Sequence, residues 1–205
     1  MPTLDHWRQT WSDLGVTASE QDFYELINAY ISTGRYYHTD QHLQECLNAF
    51  TELKDLAAHP AEIACAIWFH DAIYEPLAYT NELRSAEWAK NCLLKQGVAE
   101  PIIARIIQLI LVTQHNALPT ELDQQIMIDA DLSILGAAPQ RFAEYEQQIR
   151  QEYALVSDQV FAEKRAELLH GFLARTHIFS TARFIDRYEL SARYNINQSL
   201  EYLSV

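Results

Sequence analysis

The apolar positions of this chain recur at helical spacing from end to end. Phe23, Leu26, Ile27 and Tyr30 fall on one face, and so do Leu43, Leu47, Phe50 and Leu53, the i, i+3, i+4, i+7 rhythm of an amphipathic helix. No stretch of useful length alternates with period two. The pattern predicts helices over about 4–14, 20–30, 40–53, 60–71, 81–96, 101–113, 126–135, 139–155, 157–175 and 181–202. Gly15, Gly97 and Gly136 stand where helices should stop, and Pro60 and Pro101 suit first turns. Thr17-Ala18-Ser19-Glu20 reads as a capping box, and Thr39 or Asp40 opens the third helix. Five glycines and six prolines in 205 residues leave little material for many tight turns. No repeat, low-complexity tract or Ser/Gly-rich linker interrupts the chain. The expectation is an all-α, compact multi-helix fold, one domain over 1–205.

Charge narrows the partners. The formal net charge is -13 and the pI near 4.9, a field that repels nucleic-acid polymers and anionic membranes. The longest apolar run, 101–112, is interrupted by Arg105 and Gln108 and is too short to span a bilayer. The first residues lack a basic start followed by an apolar stretch, so no signal peptide is expected. Cys46, Cys65 and Cys92 are widely spaced and odd in number, which reads as reduced, core-packed thiols in a cytoplasmic protein.

The chemistry concentrates at His70-Asp71, which closes the apolar run AEIACAIWFH. A helix dipole favours a histidine at its C-terminal end but not an aspartate, unless a cation is present. Adjacent helical residues project about 100° apart, so amphipathicity does not explain the pair, whereas an ion at the helix end does. Further donors lie elsewhere. His42 follows His38 by one turn on the same face, and IMIDADLSILG holds both Asp129 and Asp131. Two imidazoles and two carboxylates form a mixed N/O set suited to one divalent Mn, Fe, Co, Ni or Zn rather than calcium. Donors drawn from separate helices are a usual way for a helical protein to build a metal site.

The order His … His-Asp … Asp on a helical chain resembles the HD superfamily of metal-dependent phosphohydrolases, and in particular a branch of predicted HD hydrolases of about this length. The matching stretches are YHTDQHL, WFHDAIYEP with NELRSAE behind it, TQHN, DADLSILG and ELSARYN, spanning roughly 36–195. The resemblance implies His42, His70, Asp71 and Asp131 as metal ligands. His38 is then left to support them or to bind a phosphate. The family's last ligand precedes a short apolar helical stretch, here 132–135, which leaves Asp129 as a supporting acid or a helix cap. Members with two metals supply further histidines between the His-Asp pair and the last Asp. His115 is the only one here, which implies a single metal, with His115 on the substrate or a bound water. Related hydrolases often place an acid two to four residues after the pair. Glu75 occupies that window and Glu82 competes with it as general acid/base, with Glu82 preferred.

Arg84, Arg150 and Arg193 are candidates for a phosphate, though each also suits a solvated face or an ion pair, such as Arg193 with Glu189. Tyr36, Tyr37, Tyr74 and Trp68 could stack on a base or belong to the core. The implied reaction is hydrolysis of a small phosphorylated compound, such as a nucleotide phosphomonoester or phosphodiester. The metal would polarise a phosphoryl oxygen and activate water. Two alternatives remain. A di-iron HD-type oxygenase needs a second metal and more histidines. A non-catalytic, metal-containing ligand-sensing module would bind metal tightly without turnover.

Overall fold

The computed structural model describes residues 1–115 and 118–203. Among the described residues ten α-helices form and no strand occurs, and 72% of the chain is helical, so the all-α expectation holds. In chain order the helices are α1 (Leu4–Asp13), α2 (Glu20–Tyr30), α3 (Asp40–Leu53), α4 (Pro60–Phe69), α5 (Asn81–Lys95), α6 (Glu100–Leu111), α7 (Leu122–Leu132), α8 (Pro139–Glu152), α9 (Asp158–Leu173) and α10 (Ala182–Leu203). Among the described residues, no helix is long and apolar enough to cross a membrane.

Most ends fall within a few residues of the sequence pattern, and the differences have local causes. The cap of α2 is Ser19, whose Oγ accepts the Asp22 amide at 3.1 Å, rather than Thr17 of the expected box. The seventh helix starts at Leu122, four residues before the predicted 126, because the polar run Asp123-Gln124-Gln125 hides its first turn. The same helix ends in a 3-10 turn, Ser133–Gly136.

Helix α4 is the axis of the molecule. Ile63, Cys65, Ala66, Ile67, Trp68 and Phe69 are all fully buried, the pattern of a helix surrounded on every side. It packs against α1, α3, α5, α6 and α7. At one end, Trp7 of α1 meets Trp68 edge-on at 5.3 Å and Phe69 at 5.8 Å. Trp68 Nε1 donates to Thr10 Oγ1 at 3.1 Å, so this tryptophan is a core residue with a satisfied N–H. The terminal carbonyls of α4 are also answered. Tyr30 Oη donates to Trp68 O at 3.1 Å. Arg35 Nη1 donates to Asp71 O at 2.6 Å and His38 O at 3.1 Å, and Nη2 to Ala72 O at 2.8 Å. One guanidinium thus ties the α2–α3 connection to the chain leaving α4.

Asp129 resolves as a cap. Its carboxylate accepts the Ser180 and Thr181 amides, each at 2.7 Å, and the Thr181 hydroxyl at 2.6 Å, so it holds the start of α10 against α7. Gly136 has a second role beyond ending a helix. A Cβ there would stand 2.6 Å from Tyr188 Cβ and 3.0 Å from Tyr188 O on α10. We therefore expect Gly136→Ala to destabilise the protein by about 1–3 kcal/mol in urea unfolding. Gly171→Ala in α9, where the added methyl meets nothing within 4 Å, should be neutral or stabilise by about 0.5–1 kcal/mol. Equal effects at the two sites would contradict this packing.

Candidate metal centre

Three separated segments converge beside the end of α4. His42 lies in the first turn of α3, where Thr39 Oγ1 caps the helix by accepting the Gln41 amide. His70 is the C-cap of α4 and Asp71 the residue after it. The helix stops at Phe69, and the turn that follows lets the two side chains meet: His70 Nε2 stands 3.1 Å from Asp71 Oδ2. Asp131 projects from the last turn of α7.

The donor atoms crowd together. His42 Nε2 is 3.2 Å from His70 Nε2, 3.3 Å from Asp71 Oδ2 and 3.3 Å from Asp131 Oδ1. His70 Nε2 is 3.5 Å from Asp131 Oδ1. For an ion with bonds of about 2.0–2.2 Å, neighbouring ligands stand about 3.0 Å apart in an octahedron and about 3.4 Å in a tetrahedron. The spacing matches that of ligands around one ion. The imidazoles are the floor of the site, 2% and 1% exposed, while the carboxylates at 16% and 13% border the solvent side. His70 Nδ1 donates to Ile67 O at 2.8 Å. A carbonyl only accepts, so a neutral His70 has its lone pair on Nε2, facing the group.

Electrostatics follow from the crowding. Burial opposes charge on all four side chains, but their neighbours win. His70, His38 and His42 hold the Asp71 carboxyl well below the ordinary carboxylate range, and His115, His42 and His70 do the same to Asp131. Reciprocally, Cys46 and the two aspartates raise His42, and Asp71 leads the groups that raise His70. A group this dense in anionic oxygen calls for positive charge, from protons or from a metal.

Cys46 was expected only to pack. It is buried one turn after His42, and His42, Cys46, His70 and Asp131 form a group whose ligand atoms all lie within 4.8 Å of one another. This buried group could hold a metal ion. The sulfur, however, is 3.6 Å from both His42 Nδ1 and His42 Nε2, which puts it on the plane that bisects the ring through Cε1. An ion bonded to Nε2 lies about 3 Å to one side of that plane, beyond a metal–sulfur bond of about 2.3 Å. Asp71 offers the better-placed fourth atom.

His115 flanks the mouth, its Nε2 3.2 Å from Asp131 Oδ2. Its backbone is left-handed (φ 54°), the only such non-glycine among the described residues, a conformation that concentrates at functional sites. His38 is close by, its ring centre 5.8 Å from that of His42. Its Nδ1 bonds Glu152 Oε2 at 2.7 Å. Glu152, at the end of α8, was not anticipated. Its Oε1 accepts the amides of Tyr36, Tyr37 and His38 at 2.8, 2.8 and 3.0 Å. Among the aromatics, Tyr74 stacks on His38 at 3.8 Å and Tyr37 is buried 4.6 Å from the His42 ring, while Tyr36 is exposed.

The remaining expected residues stand apart. Glu75 is exposed and pairs with Arg84 at 2.6 Å. Arg150 donates to Tyr153 O, Val156 O and Asp158, closing the α8–α9 turn. Arg193 pairs with Glu189 and donates to Leu173 O, Arg175 O and Thr176 O. Glu82 is half-buried in the first turn of α5. Among the described residues, no hydrogen bond or ion pair joins these five to the donor group. A surface cleft lies elsewhere, lined by two ion pairs, His59 with Asp123 and Glu62 with Arg105. No protein-family model, no curated protein and no solved structure matches the chain.

Burial would push the Glu152 carboxyl up, but His38 and the three amides outweigh it and hold it at about 2, below its ordinary 4.5. Such a group adds stability above its ordinary value and loses it as pH falls through the folded one. In urea unfolding between about pH 5 and pH 2.5, the wild type should lose more stability than Glu152→Gln, by up to about 3 kcal/mol. Parallel losses would contradict the assignment.

Proposed function

We propose that the chain is a metal-dependent hydrolase of a small phosphorylated compound. One divalent transition ion would be held by His42, His70, Asp71 and Asp131. The single observation that carries the reading is the spacing of 3.1–3.5 Å from each imidazole nitrogen to the other and to both carboxylates, combined with a floor of imidazole and a rim of carboxylate. The HD-type order of the motifs supports it, and the buried donor group is compatible with such a site.

A divalent ion bound there supplies Lewis-acid polarisation of a phosphoryl oxygen and lowers the pKa of water. The chain's own residues do the rest. Asp71 and Asp131, the partly exposed members of the group, would balance the charge of a bound ion from the side that a phosphoryl group would approach. His115, on the Asp131 side of the mouth, is placed to hydrogen-bond a substrate oxygen. Of the two acids, Glu82 is the candidate for moving a proton, because Glu75 is engaged by Arg84. Arg150 and Arg193 are spent on helix ends, so a phosphate would rely on the metal, His38 and His115 more than on arginine.

The test is elemental analysis of protein purified without added metal. Phosphate or nitrophenol release is then followed from p-nitrophenyl phosphate, bis(p-nitrophenyl) phosphate and a nucleotide panel with Mn, Co and Ni. We expect about one ion per chain, kept in Cys46→Ala and lost in Asp71→Ala, and turnover that disappears with the ion. Metal lost with Cys46 would replace Asp71 by the thiol in the ligand set. Stoichiometric metal without turnover would favour the ligand-sensing module. Two irons per chain with oxygen uptake would favour the oxygenase.

A further inference from the structure

His38 and Glu152 form a buried pair that the ligand set does not use. Glu152 is a carboxylate whose two oxygens have separate tasks. Oε1 is filled by three successive backbone amides, from Tyr36, Tyr37 and His38, and Oε2 faces His38 Nδ1 at 2.7 Å. An ionised carboxylate only accepts hydrogen bonds, so Nδ1 must carry the proton. A neutral His38 then has its lone pair on Nε2. The ring is clamped as well as oriented: Tyr74 stacks on one face at 3.8 Å with 23° between planes, and Tyr37 meets it edge-on at 4.9 Å. Arg35 holds the His38 carbonyl to the Asp71 carbonyl through one nitrogen. The side chain is 18% exposed, and its ring centre lies 5.8 Å from that of His42. Among the described residues, nothing is bonded to Nε2.

We infer that Glu152 is a positioning residue that holds His38 with its Nε2 lone pair presented to the metal group. There His38 acts as a catalytic residue, accepting a hydrogen bond from the water that attacks phosphorus. The inference rests on the hydrolase reading for the identity of that water, and on geometry alone for the tautomer. A carboxylate behind an imidazole fixes which nitrogen is free, and replacing it by an amide reverses the choice. The side-chain amide introduced by Glu152→Gln has no freedom here. Its oxygen would take the three backbone amides, so its NH2 would face Nδ1. Nδ1 must then accept, and the His38 proton moves to Nε2, the nitrogen that needs its lone pair.

The experiment uses the full chain, 15N-labelled on histidine, with long-range 1H–15N NMR and His38→Gln for assignment. Near pH 8 the wild type should show His38 as the Nδ1–H tautomer and Glu152→Gln as the Nε2–H tautomer, with circular dichroism unchanged. On metal-loaded protein with bis(p-nitrophenyl) phosphate as probe, both variants should bind about one ion per chain. Both should keep KM within about threefold and lose about a hundredfold or more in kcat. An Nε2–H tautomer in the wild type overturns the inference and leaves the hydrolase reading intact. So does unchanged kcat in Glu152→Gln and His38→Gln. A wild type that binds metal but turns over no phosphoester sinks the hydrolase reading, and the role of His38 on the attacking water with it. Should Glu152→Gln not fold, the tautomer of the wild type and the kcat of His38→Gln decide.

Discussion

Two imidazoles that stand within 3.5 Å of each other and of two carboxylates, at the buried end of a central helix, are the constraint from which the other features follow. Carboxylates this deep are costly unless cations answer them. The histidines supply that answer while protonated, and a divalent ion would supply it more fully, because each nitrogen could then give its lone pair inward. The cluster needs segments from α3, α4 and α7 in register to within a fraction of an ångström, and the surrounding structure provides this. Tyr30 and Arg35 satisfy the carbonyls where α4 ends, Ile67 O fixes the tautomer of His70, and Asp129 holds α10 to the helix that carries Asp131.

Buried polar groups around the site share one device: each is bonded to backbone rather than left to find water. Arg35 spans three carbonyls, Glu152 gathers three amides, and Asp129 gathers two amides and a hydroxyl. Charged hydrogen bonds of this kind are worth about 1.5–3 kcal/mol each, and they fix loops that helical packing alone leaves free. The mouth is correspondingly preorganised. His38 cannot turn without leaving Glu152 and Tyr74, and His115 is set by an unusual backbone angle. Rigid placement of groups around a reacting centre is the condition under which binding geometry becomes rate.

Much of this was legible in the chain and some was not, for physical reasons. Helical periodicity located all ten helices, because a buried stripe repeats over many residues and tolerates local exceptions. His70-Asp71 announced itself because an aspartate at a helix C-terminal end needs a cation. The same argument applies to Glu152, the last residue of α8, and would have flagged it. What it could not give is the partner, 114 residues away in sequence at His38. Cys46 lies one turn from His42 and was read as core; it is core, and also touches the donor group. The Arg193–Glu189 pair was legible at i, i+4, but most partners of Arg150 and Arg193 are backbone carbonyls, which leave no mark in a sequence. Gly136 read as a helix stop, and only the packed structure reveals that Tyr188 occupies the space a side chain would need.

The most direct test of the ligand set is X-ray absorption at the K-edge of the ion that the purified protein retains. The account predicts a first shell of nitrogen and oxygen alone, at about 2.0–2.2 Å, with the outer scattering of two imidazoles. A sulfur shell at about 2.3 Å, or a spectrum without histidine scattering, would contradict it.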